Sequence, residues 1–101
     1  MTRIATPVLK VFNADQWAAF AELGIFHGSA DDVRDGYIHL STEAQLEETL
    51  ARHFAGATGI VVAEIATERF GNSLRWEISR GGIPFPHLYA PLEMRDVVKL
   101  R

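Results

Sequence analysis

The stretch Gly36-Tyr37-Ile38-His39-Leu40-Ser41-Thr42 constrains the fold more than any other part of the chain. It starts as an alternating strand and ends on a helix-capping residue. Side chains on a strand point to opposite faces in turn. Ile38 and Leu40 are therefore expected in a core, with Tyr37, His39 and Ser41 together on the other surface. Thr42 with Gln45 three positions later is a capping-box pattern, so a helix should begin at once. Leu46, Leu50 and Phe54, with Ala51 beside them, then form a stripe of core-facing helical spacing, and Gly56 ends the run. A strand that feeds a helix, with a phenol, an imidazole and a hydroxyl on one face, reads as the floor of a binding site.

The remaining segments fit around this unit. Val8 to Phe12 is an apolar run with one lysine, a first strand. Asn13 and Gln16 predict a capped helix that runs to about Leu23, buries Trp17, Phe20 and Ala21, and stops at Gly24. Ile25 to Ser29 is extended, and the acidic Ala30 to Asp35 is a loop or one helical turn. Gly36 permits the tight turn that follows. Ile60 to Ile65 is nearly uninterrupted and β-branched, which predicts a central strand covered on both faces. Thr67 to Asn72 predicts a turn. Leu74 to Ile78 alternates, which predicts Leu74, Trp76 and Ile78 inward and Arg75 and Glu77 outward. Phe85 to Tyr89 contains Pro86, which predicts an edge strand or loop. Asp96 to Leu100 predicts a last strand. Strands and two main helices alternate irregularly, the pattern of an α+β domain rather than a regularly wound α/β one.

Totals exclude several functions. The 101 residues suit one domain, 1–101. Ten basic residues are scattered among thirteen acidic ones for a net charge of −3, without the basic stripe that a general nucleic-acid binder needs. No apolar run approaches the roughly 18 to 20 residues of a membrane-spanning helix, and the residues before Pro7 lack the apolar core of a signal peptide. No cysteine is present, so disulfides and thiolate metal sites are excluded and a reducing, cytoplasmic setting is expected. The expected partner is a small-molecule ligand.

Three sets of polar residues stand where a strand alone needs none: Tyr37, His39 and Ser41; Arg75 and Glu77; His87 and Tyr89 next to Phe85. Each has a bland reading. An exposed strand face is normally polar, and a lone histidine is commonly a structural residue bonded to neighbouring backbone. Together they have the composition of a small-ligand pocket. Histidine titrates near neutrality and can act as acid, base or donor. Glutamate can accept from sugar hydroxyls or stabilise a cationic centre. Arginine clamps phosphate or carboxylate with paired donors. His39, His87 and Glu77 are the candidate catalytic groups; Tyr37, Ser41, Arg75, Arg80 and Tyr89 are the candidate ligand contacts. The two histidines and Glu77 also match a two-histidine, one-carboxylate metal set, but no tight ligand spacing accompanies them, and no metal site is predicted.

These segments, with Asn13-Ala14-Asp15-Gln16-Trp17, Leu74-Arg75-Trp76-Glu77, Phe85-Pro86-His87-Leu88-Tyr89-Ala90-Pro91-Leu92 and Val97-Val98, resemble the small bacterial family called domain of unknown function 952 over nearly the whole chain. The chain departs from the family pattern at Lys10, where many members carry a histidine. The resemblance implies a compact ADP-ribosyltransferase-like fold, in which a curved, split antiparallel sheet grips a nicotinamide dinucleotide. Ile38-His39-Leu40-Ser41 is also similar to a Val-His-Leu-Ser strand of the RNA 2′-phosphotransferases, which share that fold. By this resemblance NAD is the implied substrate or ligand, and Glu77 would stabilise the oxocarbenium-like cation formed when a nicotinamide–ribose bond breaks. His39 and Tyr37 would orient ribose or phosphate, and Arg75 or Arg80 would meet the pyrophosphate. Two functions lead: an enzyme acting on NAD, ADP-ribose or a related phosphorylated nucleotide, and a non-catalytic binding or sensor module for such a ligand; a metal-dependent or unrelated small-molecule enzyme and a structural or interaction protein are the other readings left open.

Overall fold

The computed structural model describes residues 7–101. The element order is β1 (Val8–Phe12), α1 (Ala14–Leu23), β2 (Ile25–Phe26), α2 (Ala30–Asp35), β3 (Ile38–His39), β4 (Ser41–Thr42), α3 (Leu46–His53), β5 (Val61–Ile65), β6 (Leu74–Ile78), β7 (Pro84–Leu88), β8 (Leu92–Glu93) and β9 (Val97–Leu100). Short 3₁₀ turns lie at Glu68–Ser73, Arg80–Gly82 and Met94–Asp96. Every strand pairing is antiparallel. The strands form a four-stranded sheet ordered β4-β1-β5-β9, a three-stranded sheet ordered β3-β7-β6 and the pair β2-β8. This is a compact α+β architecture, with a radius of gyration of 13.1 Å, as expected for a folded chain of about 100 residues.

Local signals set the first helix. Asn13 accepts from the Gln16 backbone N–H, and the Gln16 side chain returns a bond to the Asn13 N–H. Phe20 on this helix is buried, and its ring lies 5.5 Å from Phe12, which in turn lies 5.0 Å from Phe26. Ile38, Leu40, Ala63, Ile65, Leu88 and Leu92 continue the same core. Ala21, however, is exposed, because the helix crosses the core on the narrower Trp17–Phe20 edge.

The chain from Ile38 to Thr42 is not one strand. Ile38 and His39 pair with Leu88 and His87 in the three-stranded sheet, whereas Ser41 and Thr42 pair with Leu9 and Val8 in the four-stranded sheet. Leu40 sits between the two and donates its N–H to Pro86 O at 3.1 Å. Thr42 and Gln45 do exchange the predicted reciprocal bonds, at 3.0 and 3.3 Å. Thr42 nevertheless stays in a strand, and the helix starts only at Leu46. No residue of α3 is buried; Leu46, Leu50 and Phe54 are half-buried and Ala51 is exposed, so the predicted core stripe rests on the surface of the four-stranded sheet's end rather than inside the core.

Three further expectations are corrected. The strand buried along its whole length is β1, lysine included, while Val62 and Glu64 leave one face of β5 half-open. Leu74 packs against the core beside Leu88 as expected, but Trp76 and Ile78, farther along the same face, lie beyond the end of the core and are exposed. And β7 is the middle strand of its sheet despite Pro84 and Pro86. The hydrogen bonds explain this placement. In an antiparallel strand a residue's N–H and C=O point to the same side. Pro86 O accepts from Leu40 and Pro84 O accepts from the Gln45 side chain at 2.8 Å. Both prolines therefore turn their missing donors toward β3, which has only two residues and needs none from them. Asp96, read from sequence as the start of the last strand, closes the preceding 3₁₀ turn and is buried against Arg69, with both guanidinium–carboxylate contacts at 2.6 Å.

Candidate functional site

The break between β3 and β4 opens a cleft, and Asp32 organises it. Ser29 caps α2: its hydroxyl accepts from Asp32 N–H at 3.1 Å, and Asp32 Oδ2 accepts from Ser29 N–H at 2.8 Å. The same oxygen takes Lys10 Nζ at 3.0 Å. Asp32 Oδ1 accepts from the His39 N–H at 3.0 Å and faces His39 Nδ1 at 2.6 Å. Lys10 Nζ also donates to His39 O at 3.0 Å. Lys10 and Asp32 have side chains only 7% and 2% exposed. Gly28 makes this arrangement possible: its φ is +121°, and a Cβ there would lie 2.7 Å from Asp32 Cβ.

His39 is held at both ends, since its Nε2 lies 3.0 Å from Asp35 Oδ2. Carboxylates only accept, so both bonds form together only when the ring carries two protons. Gly36, with φ +87°, ends α2 and turns the chain so that Asp35 and His39 meet.

A second histidine stands across the sheet. His87 is buried and its Nδ1 lies 2.8 Å from Glu77 Oε1, which also accepts from the Tyr89 hydroxyl at 2.7 Å. Nε2 of His87 meets no hydrogen-bond partner among the described residues. Tyr37 is wedged between the histidines, stacked on His87 at 4.0 Å and 4.6 Å from His39, and the two imidazoles are 5.9 Å apart.

The electrostatics follow from these contacts. Burial pushes the Asp32 carboxyl up, but the His39 bond, the Lys10 charge and the Ser29 and His39 backbone donors outweigh it and hold Asp32 well below the usual carboxylate range. Burial pulls the Lys10 ammonium down from its ordinary value, against the opposing pull of Asp32. The Tyr89 hydroxyl, and after it His87, lower Glu77, and the same bond raises Tyr89. Burial raises Tyr37. Arg34 lowers Asp35.

The cleft has a volume of about 270 Å³ and is lined by Tyr37, His39, Ser41 and His87 among the residues expected from sequence. Ser41 is buried and its hydroxyl lies 2.9 Å from that of Thr49. Glu77, Arg75 and Tyr89 do not line this cleft: Glu77 stands behind His87, and the Arg75 guanidinium lies 4.8 Å from the Tyr89 ring centre. The side chain of Arg80 lies outside the described residues. Sequence reasoning missed Lys10, Asp32 and Asp35. A lysine inside the run Val8-Leu9-Lys10-Val11-Phe12 was the available signal, because a charge in a fully apolar strand calls for a buried counter-charge. Among the described residues no cluster of three or more His, Cys, Asp or Glu side chains is arranged to hold a metal ion. No helix among them is long and apolar enough to cross a membrane.

Fold and cleft together define a small antiparallel α+β protein with two carboxylate-held histidines facing one pocket. The chain belongs to the family described as protein of unknown function (DUF952), whose model matches residues 11–100. It is similar to protein CC0527 from Caulobacter crescentus. The crystal structure of that protein matches with a TM-score of 0.89 at 42% identity, over 95% of this chain and 84% of that one. Its solution NMR structure matches with a TM-score of 0.84 at 41% identity, over 96% and 84%. A comparison with proteins of curated function finds no match.

Proposed function

We propose that the cleft binds part of a phosphorylated nucleotide, such as NAD, ADP-ribose or a smaller relative, and that His87 moves a proton on that ligand. One observation carries this reading. His87 lines the cleft with Nδ1 tied to Glu77, so the nitrogen left for a ligand is Nε2. A carboxylate behind a histidine fixes the tautomer and stabilises the charged ring, the arrangement that general acid–base chemistry uses. Glu77 then acts as a positioning residue for His87 rather than as the group that meets a sugar cation. His39 and Tyr37 serve as ligand contacts, with Ser41 in the floor.

Size limits the ligand. Pockets for drug-sized molecules run from about 300 to 1,000 Å³. At about 270 Å³ this cleft suits a nucleoside- or sugar-phosphate-sized portion, with the rest of a dinucleotide outside. The two antiparallel sheets, bridged by the segment from Ile38 to Thr42, are compatible with an ADP-ribosyltransferase-like fold, and a cytoplasmic setting fits a chain without cysteine. A second reading, binding without turnover, is favoured by His39: both of its ring nitrogens already face carboxylates.

A thermal-shift panel with NAD, ADP-ribose and nucleoside monophosphates tests both. A ligand of the folded state at 100 times its dissociation constant adds about 2.7 kcal/mol. A raised midpoint that disappears in His39→Ala supports the cleft as the site. Product formation from that ligand, abolished in His87→Ala while binding persists, supports the enzyme. Binding with no product supports the sensor, and no shift with any nucleotide refutes the ligand class.

A further inference from the structure

Strand β6 is the outer strand of its sheet, and beyond Leu74 it exposes apolar side chains. Trp76 is 50% exposed and Ile78 66%. Such an edge invites pairing, and folded proteins usually blunt it with lysine, proline or a bulge. None interrupts Leu74–Ile78.

The direction of its backbone groups is fixed by the neighbouring strand. In β7 the even-numbered residues bond toward β3, and Tyr89 N–H donates to Ser73 O at 2.7 Å, so the odd-numbered ones face β6. His87 and Phe85 lie opposite Arg75 and Glu77. Arg75 and Glu77 therefore turn their main-chain groups inward, and Leu74, Trp76 and Ile78 turn theirs to solvent. The Leu74 N–H is taken by Gly71 O, which leaves Leu74 C=O and both groups of Trp76 and Ile78 open among the described residues.

The sequence of this edge is complementary to itself. We infer that two copies of the chain pair through β6, antiparallel and centred on Trp76. In that register Trp76 faces its own copy across the axis, Leu74 faces Ile78, and Arg75 faces Glu77 twice. Moving the centre by one residue places Arg75 opposite Arg75 or Glu77 opposite Glu77, and like charges directly opposite destabilise a strand pair. Charge thus selects one register, and the contact is isologous, as a closed dimer requires. The pairing also reaches the cleft. Glu77 Oε1 already accepts from His87 and Tyr89, while Oε2 has no partner among the described residues. Arg75 of the second copy meets that oxygen, so each copy completes the charge pattern behind the other's His87.

Sedimentation velocity on the full chain, from about 1 μM to about 1 mM, tests the proposal. The expected result is a concentration-dependent dimer. Trp76→Lys and Arg75→Glu should each weaken it about tenfold or more, with unchanged circular dichroism. The exchange Arg75→Glu with Glu77→Arg restores opposite charges across the axis and should restore the dimer, even though it disturbs His87. A wild-type monomer throughout overturns the proposal, as does a dimer indifferent to Trp76→Lys. Failure of the charge exchange to restore association overturns the register. None of these readouts depends on a nucleotide, so they stand apart from the ligand tests.

Discussion

Lys10→Met removes the cation from the buried centre of the cleft and leaves the strand otherwise intact. The Lys10 and Asp32 side chains are 7% and 2% exposed, and Lys10 Nζ serves both Asp32 Oδ2 and His39 O at 3.0 Å. A surface ion pair is worth about 0 to 1 kcal/mol. Removing one partner of a buried pair costs about 3 to 5 kcal/mol, because the other charge stays behind. Here Asp32 keeps its bonds to Ser29 and His39, which favours the lower part of that range, about 3 kcal/mol. For a chain of this length each kcal/mol moves the melting midpoint by about 4 to 8 °C, so a fall of roughly 12 to 24 °C is expected. Urea unfolding followed by circular dichroism gives the free energy, with Arg52→Ala as a control. Arg52 pairs with Glu48 on the exposed face of α3 and should cost under about 0.5 kcal/mol. The double variant Lys10→Met with Asp32→Leu separates charge from packing: it should cost less than the sum of the single changes, because no unpaired charge remains. If Lys10→Met is as mild as Arg52→Ala, the buried pair is not what holds β1, α2 and β3 together, and the reasoning fails.

Other perturbations follow the same logic. The folded-state pKa of Asp32 is depressed, so the unfolded chain binds the extra proton first; its contribution to stability is present above about pH 4 and is lost as pH falls below that. Acid unfolding of Asp32→Asn should show a flatter slope below about pH 4 than the parent, and an identical slope refutes the assignment. Phe20→Ala, deep in the aromatic cluster, should cost about 3 to 5 kcal/mol, whereas Leu50→Ala on half-buried α3 should fall below about 2; equal losses in denaturant titration would mean α3 is part of the core after all. Tyr89→Phe deletes the first of the two bonds that lower Glu77, and carboxyl NMR titration should show the Glu77 pKa rise toward its ordinary value.

How much was legible depended on range along the chain. The Asn13–Gln16 box, the reciprocal Thr42–Gln45 bonds, the strands at Val8–Phe12 and Leu74–Ile78 and the turn at Gly36 all rest on neighbours within a few residues, and all are present. His39, His87, Tyr37 and Ser41 were found because polar groups recurred where a strand would not need them, and they share the cleft. The sequence places Asp32 in an acidic loop or single helical turn, and the turn is there as α2; its pairing is not legible, because its partner Lys10 lies 22 positions away and nothing local links them. The family resemblance implies a ligand-facing Glu77, yet strand alternation says only that a side chain leaves one face, not what stands in front of it, and here Glu77 stands behind His87.

By itself, the sequence determined the α+β class, most of the secondary elements and four of the polar residues that line the cleft, because caps, alternation and side-chain type are local properties. The tertiary structure decided where along β6 the core ends, why a strand with two prolines sits mid-sheet, and that the chain breaks at Leu40 to join two sheets. Those outcomes turn on which surface each strand finds to pack against and on where its partner strand ends. A single strand carries neither piece of information, and both are set only when distant segments compete for the same hydrogen-bonding edges and the same buried space.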